Sequence, residues 1–256
     1  MVRNSKILEV CIDADKLPTL AQNIHSALSA GATRIELCAA MASDGLTPTP
    51  LAIATAKQAM LPNTELLVMI RPLPGRFVVT SQTLQDMLQS ITTAATLGAD
   101  GVVFGALTES QALDLMTTAK LQQHAAKYGL KSTFHRAFDA IANSEQAITA
   151  LINLGIHRVL TSGTPWGSNR SALDGQTRIA ELLNYANGQI EIVVGGGVNA
   201  QNATALFALA DNCAACVNAN TFSLHSFSGV YHPDGQISAN AIQAILQPSQ
   251  LQETTL

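Results

Sequence analysis

Short apolar runs recur along the chain at 7–12, 34–37, 65–70, 101–104, 132–135, 158–160, 190–194 and, more weakly, 214–217. Their spacing averages roughly 30 residues, the length of a strand–helix–strand unit. Helix-boundary chemistry fills the gaps. Thr49-Pro50 supplies an N-cap and a proline in the first turn. Thr80 or Ser81 opens a helix that Gly98 closes, and Thr108-Glu109 opens a long one ending at Tyr128-Gly129. Asn143 with Gln146 resembles a capping box closed by Gly155, Asn199 caps a helix after a glycine run, and Gly31 and Gly188 are further stops. Strand and helix repeated in this way predict an α/β fold, a TIM (β/α)8 barrel, as one domain over 1–247 with a polar, flexible tail at 248–256. A doubly wound open sheet is the alternative, although it rarely needs so many regular units.

Side chains on a strand alternate between faces. In the first strand Leu8, Val10 and Ile12 oppose Glu9 and Cys11; in the second, Ile35 and Leu37 oppose Arg34, Glu36 and Cys38. The uniformly apolar sets belong against the helices, so the mixed sets point into the barrel. That places Glu9, Cys11, Glu36, Cys38, Arg71 and His135 inside. Active sites on this fold lie at the C-terminal ends of the strands. There stand Arg71, Thr161 and Ser162, the run Gly195-Gly196-Gly197, and above all Phe134-His135-Arg136-Ala137-Phe138-Asp139. This last segment crowds an imidazole, a guanidinium and a carboxylate at one strand exit, which is costly unless something polar binds there. A purely structural reading is also open, in which Glu9 or Glu36 forms a core ion pair with Arg71.

The chain is 47% hydrophobic and 12% charged, enough apolar material for a large core. Its net charge of −4, with no basic stripe, excludes nucleic acid as a partner, and no apolar run is long enough for a membrane helix. With no signal-peptide core at the start, the expectation is a cytoplasmic protein whose four cysteines, Cys11, Cys38, Cys213 and Cys216, are reduced thiols. Cys213-Ala-Ala-Cys216 has a redox-like spacing but lacks a second pair, which favours ordinary burial.

The segments Leu8-Glu9-Val10-Cys11, Arg34-Ile35-Glu36-Leu37-Cys38, Gly45-Leu46-Thr47-Pro48, Met69-Ile70-Arg71-Pro72, Phe104-Gly105-Ala106-Leu107-Thr108, Thr133-Phe134-His135-Arg136-Ala137-Phe138-Asp139 and Thr161-Ser162-Gly163, in this order, resemble the CutC family of copper-homeostasis proteins. The resemblance implies a cytosolic TIM barrel that self-associates, taken as a homodimer, and a role in copper handling with Cys11 and Cys38 as the matching Cu(I) ligands. Members commonly carry a His followed by small polar residues on the eighth strand. This chain has Val217-Asn218-Ala219-Asn220 at the expected place, with His225 several residues later.

Cu(I) is soft and prefers thiolates. Adjacent strands lie about 4.8 Å apart, so facing thiols on two of them can share one ion, and His135 is a possible third ligand. Alternatively, both cysteines are small buried hydrophobes. A different function class fits the wider site. As an enzyme on a small anionic, possibly phosphorylated, metabolite, the chain would use Glu9, Glu36, His135, Arg136 and Asp139 as isomerase, lyase or hydrolase chemistry requires. Arg71, Thr161, Ser162 and the backbone N–H groups of Gly195, Gly196 and Gly197 would then hold the anion, although the glycines also suit a tight turn. No residue set identifies the reaction. In a third reading the site is vestigial and the barrel serves assembly.

Overall fold

The computed structural model describes residues 6–247, so the tail at 248–256 lies outside the described residues. Eight parallel strands close into a barrel in sequence order: β1 (Leu8–Asp13), β2 (Arg34–Cys38), β3 (Glu65–Met69), β4 (Gly101–Phe104), β5 (Lys131–Phe134), β6 (Arg158–Thr161), β7 (Glu191–Val194) and β8 (Phe222–Ser226). The helices are α1 (Leu17–Ser29), α2 (Pro50–Ala59), α3 (Ser81–Thr96), α4 (Leu115–Lys127), α5 (Ser144–Asn153), α6 (Gln176–Ala186), α7 (Ala203–Asp211), α8 (Ala214–Ala219) and α9 (Ala239–Leu246). Val10, Ile12, Ile35, Leu37, Leu66 and Val68 point outward and are fully buried against the helix ring. In α1 the facing residues are Leu20, Ile24, Ala27 and Leu28, the spacing of a single helical stripe. Among the described residues, no helix is long and apolar enough to cross a membrane.

Caps fix several helix starts as expected. Thr49 Oγ1 accepts from Ala52 N at 3.2 Å, Thr80 Oγ1 from Thr83 N at 3.1 Å, and Asn143 Oδ1 from Gln146 N at 3.0 Å. Three expectations are corrected. The long helix begins at Leu115, because Asp114 caps it through Thr117 N at 3.0 Å, while Thr108 and Ala112 close a separate turn. Asn199 caps no helix; its Oδ1 accepts from Gln201 N at 2.9 Å in the loop before α7. The run 214–217 belongs to α8, and the eighth strand lies further on.

Cys213 and Cys216 are joined as a disulfide, which corrects the expectation of four thiols. The helical turn that carries them brings their Cα atoms to 5.3 Å, within the span a disulfide bridges. Cys11 and Cys38 are free and buried.

The N-terminal end of the barrel interior is an ion network. Arg34 Nε donates to Glu9 Oε2 at 2.6 Å, and its Nη2 to Glu191 Oε1 at 2.7 Å and Ser223 Oγ at 2.8 Å. Arg158 reaches Glu65 at 2.5 Å and Glu191 at 3.0 Å, and Lys131 completes the ring on Glu65. Glu9 therefore pairs with Arg34, and neither Glu9 nor Glu36 pairs with Arg71.

Candidate functional site

Strand register builds the floor of the C-terminal mouth. Cys11 sits opposite Glu36 on β2, Cys38 opposite Asp13, and His225 on β8 opposite Glu9. The two thiols are thus staggered across one carboxylate. Cys38 Sγ donates to Glu36 Oε2 at 3.4 Å. His225 Nδ1 donates to Glu9 Oε1 at 2.7 Å, and its Nε2 lies 3.8 Å from Glu36 Oε2. One ligand atom each from Cys11, Glu36 and His225 falls within 4.8 Å of the others. Glu36 Oε1 is buried with no hydrogen-bond partner.

Electrostatics divides the two glutamates. Burial opposes the charge on Glu9, but Arg34 and His225 overcome it and lower its pKa from 4.5 to about 2. Burial holds Glu36 above the usual carboxylate range despite the attraction of His225. A hydrogen bond from Cys38 favours the Cys11 thiolate, but burial and Glu36 outweigh it and raise the thiol from 9.0 to about 11. The same hydrogen bond, together with burial, holds Cys38 well above the ordinary thiol range. Burial disfavours a charge on His225, and the facing Glu36 and Glu9 more than compensate, raising it.

Above this floor is a cavity of about 220 Å³ lined by Cys11, Glu36, Cys38, Arg71, His135 and His225 together with Met41, Met69 and aromatic side chains. Arg71 is 7% exposed. Its Nη1 donates to the carbonyls of Ser43, Asp44 and Gly45 and its Nη2 to that of Gly75, while Nε has no partner. His135 Nδ1 accepts from Ala137 N at 3.1 Å, and its buried Nε2 is unpartnered. Burial and the nearby Arg71 charge lower the His135 pKa from 6.5 to about 3. A Cβ on Gly105 would collide with the His135 ring, so glycine there is required for the ring to reach the cavity. Phe77 neighbours both, its ring centroid 5.1 Å from that of His135 and 5.2 Å from the Arg71 guanidinium.

The remaining predicted residues lie off to one side. Asp139 accepts from Arg136 Nε at 2.9 Å, from Thr161 Oγ1, and from Ser162 N and Oγ at 3.1 and 2.9 Å. Arg136 Nη2 donates to Ser162 Oγ at 2.8 Å and the guanidinium covers Trp166 at 5.3 Å. These groups satisfy one another and tie the short helical turn Arg136–Ala140 to the end of β6. Gly195 N donates to Thr161 O, and Gly196 O accepts from Ala172 N, so the glycine run packs against the 162–172 loop. It is separated from the start of α7 at Ala203. A side chain on Gly196 would meet Ser162 at 2.9 Å and is further disfavoured by a φ of +111°.

Of the predicted residues, Glu9, Cys11, Glu36, Cys38, Arg71 and His135 all face the interior, and all but Glu9 line the cavity; Arg136 stands at the rim. His225, Met69 and Trp166 also line the cavity, and none of them stood among the predicted site residues. A signal for His225 existed: Phe222-Ser223-Leu224-His225-Ser226 alternates apolar and polar residues at the period of a strand.

Comparison with known proteins agrees with this fold. The model of the CutC family matches residues 6–218, a span that stops short of β8 and His225. A family protein CutC from Pasteurella multocida is 42% identical over 199 residues, covering 78% of this chain and 76% of its own length. One from Vibrio parahaemolyticus is 41% identical over 197 residues, covering 77% and 74%. The solved structure of a putative copper homeostasis protein CutC from Streptococcus agalactiae superposes with a TM-score of 0.72 at 29% identity, covering 86% of this chain and 98% of that one.

Proposed function

Because the chain belongs to the CutC family, we propose that it serves copper homeostasis by holding one Cu(I) ion, as cargo, at Cys11, Cys38 and His225. The observation that carries this reading is the convergence of Cys11, Glu36 and His225 ligand atoms within 4.8 Å, with the Cys38 thiol hydrogen-bonded to the same Glu36. The donor set suits the ion. Thiolate and imidazole ligands favour Cu(I), and the thioethers of Met41 and Met69 line the same cavity. Glu36 is a hard oxygen donor, and in this reading it takes up a thiol proton and leaves coordination to the softer groups. Both thiols are protonated at neutral pH, so capture of the ion must release protons. Affinity therefore rises with pH.

The test is an oxygen-free titration of the reduced protein with Cu(I) against a competing chelator, beside a Cys11→Ser/Cys38→Ser variant. Tight one-to-one binding that weakens as pH falls, and that the variant loses, is the expected result. Weak binding, binding unchanged in the variant, or preference for Zn(II) over Cu(I) would overturn the reading.

A further inference from the structure

We propose that the outer part of the same cavity binds a small organic carboxylate, held between Arg71 Nε–H and His135 Nε2–H. Three observations lead there. First, Arg71 is a buried cation that makes no ion pair among the described residues; its Nη groups are spent on four main-chain carbonyls and its Nε–H has no acceptor. Asp44 attracts it only from beyond ion-pair distance, a buried cation without a direct pair is costly, and a bound anion supplies that pair. Second, His135 accepts at Nδ1, so a neutral ring carries its proton on Nε2, and that N–H is also buried and unpartnered. Third, the two residues line one cavity and share Phe77 as a neighbour.

The class of ligand follows from the number and surroundings of these donors. Two unpartnered N–H groups suit the two oxygens of a planar carboxylate. A phosphate would call for a wider array, such as a free helix N-terminus, and the glycine run that might have provided one is packed away from α7. Met69, Phe77, Leu160, Trp166 and Phe227 form an apolar wall suited to a carbon body. The cavity, about 220 Å³, suits a small carbon body. The carboxylate would be held by Arg71 and His135 rather than by the cysteines, which line the same cavity.

Trp166 is the single tryptophan of the chain and lines this cavity, so its fluorescence reports occupancy directly. The full chain is titrated with acetate, pyruvate, isobutyrate and benzoate, and with inorganic phosphate, at constant ionic strength. At least one carboxylate should give a saturable change while phosphate gives none. His135→Asn retains a side-chain acceptor for the Ala137 N–H but removes the Nε2 donor, and should weaken binding about tenfold or more. Arg71→Met should weaken it at least as much. Because Arg71 also anchors loop carbonyls, His135→Asn is the deciding variant, with its fold checked by circular dichroism. Silence toward every carboxylate, equal binding of phosphate, or a response that survives His135→Asn would overturn the assignment.

Discussion

The two ends of the barrel interior solve the burial of charge in opposite ways. At the N-terminal end Glu9, Glu65 and Glu191 are each met by an arginine, and Lys131 and Ser223 add further contacts. At the C-terminal end Glu36 Oε1, Arg71 Nε and His135 Nε2 are buried without partners, and two thiols stand among them. One end pairs every carboxylate, leaves only a nitrogen of Arg158 over from its ion pairs and holds the fold together; the other leaves a carboxylate, a guanidinium and an imidazole each with an open atom. Buried polar groups are ordinarily satisfied, so such a concentration of exceptions marks the end where a ligand completes the structure.

The sharpest way to break this contrast is to remove the hub of the ion-paired end. Arg34→Met leaves Glu9 and Glu191 without their shared partner and should cost about 3–5 kcal/mol in urea unfolding. A loss no larger than that of an ordinary surface substitution would mean that the network contributes little. Acid should separate the ends next. His135 is neutral in the fold, with its pKa lowered from 6.5 to about 3, so its contribution is complete above pH 6.5 and is lost as pH falls toward 3. Glu9 is ionised in the fold, with its pKa lowered from 4.5 to about 2, so its contribution is complete above pH 4.5 and is lost as pH falls toward 2. Unfolding free energies measured across this range should show His135→Asn flattening the loss between pH 6.5 and 4.5 and leaving the steeper loss below it. An unchanged slope in the upper window would contradict the placement of His135. The smallest effect should come from Glu36→Gln. Burial disfavours a charge on Glu36 and its Oε1 has no partner, so the isosteric amide should change stability by less than about 1 kcal/mol, against a clearly larger loss for Glu9→Gln.

The first seven strands were legible because β-rich apolar runs of four to six residues stand between capped helices. The alternation in β1 and β2 also showed which side chains enter the barrel. The eighth strand was misplaced because Ala214-Ala215-Cys216-Val217 is apolar enough to imitate a short strand, while the true one is diluted by Ser223 and Ser226. Strand assignment carried His225 with it. The partners of Arg34 were beyond reach for another reason. Glu191 lies 157 residues away and meets Arg34 only across the closed barrel, a contact that no local period records. Likewise, Asp139 stands in the sequence as a candidate catalytic carboxylate, and only in the folded chain do Arg136, Thr161 and Ser162 occupy its oxygens.

The pairing of β8 with β1 sets Glu9 opposite His225, residues 216 positions apart. The cluster at the floor of the mouth is therefore stitched across the seam where the two ends of the sheet meet. Cys11 and Glu36 come from the opening strands and His225 from the last, so the cluster does not exist until the ring has closed. Whatever binds there can be acquired only by a finished barrel, and once bound it acts as a clasp on the seam, stabilising the closed form by mass action.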